Sequence, residues 1–334
     1  MELLKISFII TILGYGIVVG GKELNLMVVG GYSDEGMVAD VELLDPFSPE
    51  SHCEKPINFS EPRYGMIGEF FTNYPIICGG MSTEFMSYRN DCVVYDENVW
   101  VNGSFSLTAV RAQASSVLIN DEVLWVSGGI DGVGNASTYQ TSDIIYSSGL
   151  VEPGPDMPEY IAFHCSAKIN STHVFIAGNG YWDPYAYNAY IVDTTTNPFT
   201  FIKLPSMLHA RHGAACATVN IRESKEDEYV DEDGIRLLVV GGWDHPSWTE
   251  MYSFSEDKWI EGPELPRDFS AGGYVTYPDE RGFILVGGTT LLFEFKDDIM
   301  RYNVELNMFE ILPGKMKLAR EYFGAILIET DVPC

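Results

Sequence analysis

Five arginines recur at corresponding places in a repeated sequence pattern, each followed by small or apolar residues. They are Arg63, Arg111, Arg211, Arg267 and Arg320. A guanidinium group is a rigid fork of donors that matches carboxylates and phosphates. Gathered on one face of the protein, the five would bind an acidic ligand. Paired with carboxylates or carbonyls that link the repeats, they would be structural. We favour the structural interpretation and keep the five as candidate ligand-face residues.

Two histidines, His209 and His212, raise the question of a metal site. On a strand a spacing of three places them on opposite faces, and no further pair of ligands is evident. No catalytic machinery is visible either. We therefore predict no catalytic, cofactor-binding or metal-binding residues and expect that the chain is not an enzyme.

The most regular repeat is a short apolar run closed by two glycines, first seen as Leu26–Gly31. The first glycines of its six copies are 49, 49, 50, 63 and 46 residues apart, which indicates a repeat architecture. Short runs rich in Val and Ile predict strands buried on both faces. The other five copies end at Gly80, Gly129, Gly180, Gly242 and Gly288.

Each copy carries the same parts in the same order. An arginine with small residues precedes the glycine pair; a strand ending in an aromatic residue or Asp follows, as in Cys92–Asp96, and then a large ring such as Trp100. In the fourth copy Tyr160 takes the arginine position. This ordered set resembles the kelch-repeat family over residues 24–330. The resemblance implies one four-stranded blade per repeat, so we predict an all-β fold, a six-bladed kelch-type β-propeller.

The two ends of the chain fit circular closure. The stretch Arg320–Ile328 has the pattern of an inner strand with no glycine-pair strand after it, and Leu24–Gly31 lacks an arginine strand before it. We predict that the N-terminal and C-terminal strands pair in one blade. The domains are then a signal peptide at 1–20 and a single propeller at 21–334. An acidic insertion at 221–234 is interpreted as a solvated loop, with a calcium or basic-partner contact as the alternative.

The six cysteines allow one specific hypothesis. Cys78 precedes a glycine pair and Cys92 opens the next strand, so the two are a candidate disulfide between adjacent strands. Cys165 and Cys216 fall on inner strands of neighbouring repeats, and the sequence does not give their separation. The remaining two are Cys53 and Cys334, and the connectivity stays open.

The first twenty residues resemble a secretory signal peptide, because Lys5 precedes an apolar run that ends near small residues. An uncleaved membrane anchor and a buried first strand are the alternatives. No second apolar stretch is long enough to cross a bilayer. Four N-glycosylation triplets, at Asn58, Asn102, Asn135 and Asn170, also favour a secreted, extracellular protein.

The charge narrows the possible partners. The chain has 48 Asp and Glu against 20 Lys and Arg, a net charge of −28, which opposes binding to nucleic acid or to anionic membranes. We predict a secreted, glycosylated propeller that binds an unidentified protein or glycan ligand, or mediates adhesion, through the loops of one face. The alternatives are an intracellular substrate-recognition protein of a ubiquitin ligase, which the kelch resemblance suggests, and an oxidase-like propeller enzyme.

Overall fold

The computed structural model describes residues 18–19, 22–49, 52, 57–59, 61–83, 87–132, 138–180, 185–220, 234–276 and 283–330. Within these ranges the chain forms 29 β-strands and no helix. In chain order the strands are β1 (Val18–Val19), β2 (Lys22–Val29), β3 (Tyr32–Ser33), β4 (Gly36–Met37), β5 (Asp40–Leu44), β6 (Ile57–Asn58), β7 (Arg63–Tyr64), β8 (Ile67–Phe71), β9 (Tyr74–Cys78), β10 (Met81–Ser82), β11 (Asp91–Asp96), β12 (Val99–Ser106), β13 (Ser115–Asn120), β14 (Val123–Ser127), β15 (Ser142–Tyr146), β16 (Val151–Pro153), β17 (Cys165–Lys168), β18 (His173–Ala177), β19 (Ala189–Asp193), β20 (Thr200–Lys203), β21 (Ala215–Asn220), β22 (Ile235–Val240), β23 (Thr249–Ser253), β24 (Lys258–Glu261), β25 (Gly273–Thr276), β26 (Phe283–Val286), β27 (Asp298–Asn303), β28 (Met308–Lys315) and β29 (Gly324–Thr330).

Most of these strands form six antiparallel blades. From the inner strand outward the blades are β29-β2-β5-β6 (blade 1), β8-β9-β11-β12 (blade 2), β13-β14-β15-β16 (blade 3), β17-β18-β19-β20 (blade 4), β21-β22-β23-β24 (blade 5) and β25-β26-β27-β28 (blade 6). Each inner strand contacts the inner strands of both neighbouring blades, so the inner strands close a circle. The predicted all-β, six-bladed propeller is confirmed.

Blade 1 is completed by both ends of the described chain. Its second strand, β2, pairs with β29 from Val29 opposite Gly324 to Glu23 opposite Thr330, and with β5 on its other side. This is the predicted closure. The short β1 pairs with the start of β2. The rest of the predicted signal peptide at 1–20 and all of the acidic insertion except Gly234 lie outside the described residues.

The core consists of six apolar clusters, each between two neighbouring blades. Successive side chains of a strand point to opposite faces, and each strand before a glycine pair divides its side chains between two clusters. In β2, Leu26 and Val28 pack toward blade 6, whereas Met27 and Val29 pack toward blade 2. Each such side chain contributes about 2 kcal/mol of hydrophobic stabilisation. The runs therefore have no polar face, as the sequence predicted.

Candidate functional site

One side of the propeller carries two sets of connections, and we call it the loop face. The first set follows the glycine pairs, and its described parts are 30–39, 79–83, 87–90, 128–132, 138–141, 178–180, 185–188, 241–248 and 287–297. The second set leads into the inner strands. Both sets meet on one side because each inner strand starts opposite the end of its antiparallel second strand, as Ile67 lies opposite Cys78. The hairpins between first and second strands and between third and fourth strands form the opposite, hairpin face.

A closed ring of backbone hydrogen bonds surrounds the axis at the loop face. Each blade supplies one residue with a positive φ, between 51° and 66°. The N–H of each donates to the carbonyl oxygen of the previous member, at 2.7–2.9 Å, and Gly65 closes the circle by donating to Tyr322. The members of this axial ring are Gly65, Gln113, Phe163, Gly213, Ala271 and Tyr322.

The left-handed backbone of the axial ring costs about 1 kcal/mol at each member that is not glycine. It persists because it turns the N–H and the C=O of one residue toward two different neighbours around the axis. The six inner strands are thereby aligned with one another, because each begins just after a member of the ring.

Four of the five candidate arginines lie in the interior. Arg63, Arg111, Arg211 and Arg320 are each 2% exposed or less. Each donates from Nη1 to the carbonyl oxygen of the first glycine of a pair, as Arg111 does to Gly128 at 2.8 Å. Each also forms an ion pair with a carboxylate of a third strand. Those carboxylates belong to Asp91, Asp143, Glu250 and Glu42, in the same order.

The fifth arginine, Arg267, is partly exposed, donates to the carbonyl of Gly287 at 3.1 Å and pairs with Asp298. These contacts explain why arginines and glycine pairs recur together. The arginine supplies donors to a carbonyl that the sharp glycine turn removes from the sheet ladder. A ligand that reached these guanidinium groups would have to displace an internal carboxylate.

Blade 4 lacks the arginine and replaces its contacts. The residue that accepts the inter-blade hydrogen bond from Gly129 is Ile161, so Ile161 and not Tyr160 occupies the arginine position. Below it the carboxylate of Glu159 accepts hydrogen bonds from Asn188 at 2.9 Å and from the Tyr190 hydroxyl at 3.2 Å. In blade 6 the equivalent position is held by Phe269, and Arg267 reaches its glycine from two residues earlier.

A cavity of about 150 Å³ runs from the axial ring into the centre of the propeller. It exists because several of the residues that face it carry little or no side chain. The small residues are Gly65, Gly68, Ala114, Gly213, Ala214, Ala271, Gly272, Gly273 and Ala325.

One carboxyl group, that of Glu69, lines this axial cavity. Its Oε1 accepts a hydrogen bond from Ser116 Oγ at 2.9 Å. Burial raises the pKa of Glu69 to about 7, although the hydrogen bond from Ser116 opposes the shift. Nearby, burial lowers the pKa of His164 to about 3, so this imidazole is neutral, and its Nε2 lies 2.9 Å from Ser127 Oγ.

Aromatic side chains surround the mouth of the axial cavity. The ring of Tyr322 contacts those of Phe163 and Tyr64, with centroids 6.0 and 6.2 Å away, and its hydroxyl accepts a hydrogen bond from Trp243 Nε1 at 3.2 Å. Next to it, burial raises the pKa of Glu321 to about 7. The mouth is thus apolar and aromatic, with carboxyl groups close by.

The two predicted histidines lie apart and have different neighbours. His209 contacts the rings of His245 and Trp248, with centroids 4.3 and 4.6 Å away. His212 stacks on Trp243 and pairs with a carboxylate on the same loop. Across the described ranges no group of three or more His, Cys, Asp or Glu side chains is arranged to hold a metal.

Among the described residues two disulfides are present. Cys78 and Cys92, the candidate pair, lie directly opposite each other on β9 and β11 and are bonded, with their Cα atoms 4.1 Å apart. A second disulfide joins Cys165 to Cys216 and so links the inner strands of blades 4 and 5. The last two, Cys53 and Cys334, lie outside the described residues.

Two of the four glycosylation candidates have described side chains, and both are exposed. Asn102 lies on the outer strand β12, and Asn170 lies in the hairpin between β17 and β18, on the hairpin face. The side chain of Asn58 and the whole of Asn135 lie outside the described residues.

Sequence comparison identifies no relative, whereas structural comparison identifies the architecture. No protein-family model and no curated protein matches the chain. A solved structure titled "Structure of YjhT" is similar to it with a TM-score of 0.65, over 81% of this chain and 90% of that chain, at 14% sequence identity. At this identity the likeness shows a shared β-propeller fold. In the part of the chain that the structure covers, no helix has the length and hydropathy needed to cross a bilayer.

Proposed function

We propose that this protein is a secreted, glycosylated, kelch-type propeller that binds a protein or glycan partner through its loop face. The observation that carries the proposal is a set of exposed aromatic and aliphatic side chains on the loops of blades 4–6. These side chains are Tyr160, Tyr185, Tyr187, Leu208, Trp248, Leu291, Leu292 and Phe293, each between 43% and 79% exposed.

Such side chains are costly to leave in water and are the residue types from which binding hot spots are built. Three of them, Leu291, Leu292 and Phe293, are consecutive on one connection, where no fold requirement calls for them. A partner that covered this connection would bury a continuous apolar surface next to the aromatic mouth of the cavity. The acidic groups around the mouth would favour a partner with a positively charged surface.

Other features support the extracellular part of the proposal. Disulfides persist in oxidising compartments, and this chain has one within a blade and one between blades. Asn102 and Asn170 lie on the rim and on the hairpin face, so glycans attached there would leave the loop face open. The arginine contacts to the glycine turns account for the kelch-like repeat without needing a ligand.

The binding surface is tested by one substitution on each face of blade 6. Phe293→Asp places a charge on the loop face, and Leu306→Asp places the same charge on the hairpin face, at a residue that is 65% exposed. Each variant is displayed outside cells and cross-linked to its surroundings. A partner captured by the wild type and by Leu306→Asp, but not by Phe293→Asp, supports the proposal. The proposal is contradicted if both variants lose the partner equally or if neither variant loses it.

The compartment is tested separately by intact mass and N-terminal sequencing of protein recovered from eukaryotic cells. We expect the loss of about 20 residues and glycosidase-sensitive mass in the medium. Peptide mapping should place glycans on Asn102 and Asn170. An intact Met1 and an unglycosylated cytosolic pool would contradict secretion.

A further inference from the structure

The axial cavity contains a carboxyl group with no cation beside it. Glu69 lies four residues after the ring member Gly65, about 13 Å along the inner strand at about 3.3 Å per residue. The hydroxyl of Ser116 donates to it, and no lysine or arginine among the described residues contributes to its electrostatic environment. Glu69 is partly exposed within the cavity but desolvated enough to raise its pKa, so its ionised form without a counter-ion is unfavourable and the site has unused affinity for a cation.

The buried arginines near the axis are engaged elsewhere. The arginines nearest the axis hold the glycine turns and the carboxylates of third strands. Among the described residues that line the cavity there is no lysine or arginine, and His164 is neutral because burial lowers its pKa. None of the described residues therefore supplies a positive charge to Glu69.

The walls of the cavity suit an alkyl chain that ends in a positive charge. The rings of Phe163 and Tyr322 meet edge to face at the mouth, with an interplanar angle of 67°, and Tyr274 lies deeper in the cavity. Aromatic faces attract ammonium groups, and the small residues of the lining leave space inside the cavity. A volume of about 150 Å³ admits an unbranched chain but excludes a folded peptide segment.

We propose that the axial cavity binds an alkylammonium group, with Glu69 as its counter-ion and the ring of Tyr274 beside the alkyl chain. The inference rests on the proposed function, because residues of the axial ring at the loop face line the cavity, and it names the chemical group recognised there. An ammonium group has three donors, for which the Glu69 carboxylate and the hydroxyl oxygen of Ser116 are acceptors. The net charge of −28 draws cations toward the mouth, whereas a neutral ligand gains nothing from it.

Calorimetric titration with n-butylammonium chloride tests the proposal, at about pH 8 and about 0.15 M salt, where contacts to exposed acids are screened. Glu69→Gln keeps the shape and the acceptor for Ser116 but removes the charge, and we expect affinity to fall about tenfold or more. Glu122→Gln is the matched control: it removes an exposed carboxylate from the hairpin face, and affinity should change less than about twofold. Circular dichroism confirms that each variant is folded.

Two further measurements distinguish binding in the cavity from general electrostatic attraction of cations to the acidic protein. Tyr274→Leu keeps apolar bulk and removes the ring near Glu69, so it should weaken butylammonium binding about threefold. Neutral n-butanol, of the same length, should not bind measurably. The proposal is wrong if butanol binds as well as butylammonium, or if Glu69→Gln and Glu122→Gln weaken binding equally.

The same titration distinguishes two sources of the group. Tighter binding of a glycine-flanked lysine peptide than of butylammonium identifies the side chain of a partner protein. Binding of butylammonium with none of the peptide identifies a free amine. A partner lost with Phe293→Asp but kept with Glu69→Gln, together with no binding of either probe, would overturn this inference and leave the proposed function in place.

Discussion

Replacing Glu69 by Gln should change the pH dependence of stability by a predictable amount. In the folded protein burial raises the pKa of this carboxyl group from 4.5 to about 7. The folded state therefore binds the proton more tightly than the unfolded state does. Since one pKa unit is worth about 1.4 kcal/mol, the ionised side chain destabilises the fold by about 3 kcal/mol.

The sign follows from which state keeps the proton. Below about pH 4 the side chain is protonated in both states and there is no penalty. The penalty grows as the pH rises and is complete above about pH 7, where the folded protein must bury a carboxylate. Glu69→Gln never ionises. Its stability relative to the wild type should therefore rise by about 3 kcal/mol between about pH 4 and about pH 8.

Urea denaturation of both proteins at the two pH values measures this double difference, in which the titration of all other groups cancels. Glu122→Gln provides the baseline for an exposed carboxyl group. If the stability difference between Glu69→Gln and the wild type is the same at both pH values, Glu69 is solvated and the reasoning about the cavity fails.

Three further perturbations test the interior contacts, with urea denaturation as the assay. Arg211→Met leaves Glu250 buried without its partner and should lower the free energy of unfolding by about 3–5 kcal/mol. Adding Glu250→Gln should recover part of that loss. Equal stability of Arg211→Met and the wild type would contradict the pairing. Replacing Cys165 and Cys216 together by Ala removes a link across 51 residues and should cost about 4 kcal/mol; no change would mean that the disulfide does not form. Gly241→Ala puts a methyl group, at a positive φ, against a carbonyl of the next blade, and unfolding should become easier by about 2 kcal/mol or more; a neutral effect would exclude that close approach.

The blades were predictable because their signals are local and repeated. The run Leu26–Val29 and its two glycines specify a strand and a sharp turn within a few residues, and six copies make the period visible. The pairing of Cys78 with Cys92 followed from the same strand spacing.

The centre of the molecule was not predictable in this way. The axial ring depends on backbone conformation, and its members include Gln113, Phe163 and Tyr322, which share no chemical type. The direction of an arginine such as Arg111 is set by Asp143, 32 residues away. Glu69 is desolvated only when the six inner strands converge around the cavity. Its neighbours in sequence do not indicate this position.

The closure of blade 1 has a consequence for how the protein is made. Its second strand β2 leaves the ribosome before its inner strand β29, and the other five blades are synthesised between them. Until β29 emerges, the edge of Leu26–Val29 that pairs with β29 in the folded protein has no partner. Other chains add to unpaired apolar strand edges of this kind. The β29 of a second copy fits that edge as well as the chain's own, so exchange of this strand is the route by which crowded nascent chains would become entangled dimers. Blade 1 is therefore the part of the propeller that most needs protection by chaperones before β29 emerges.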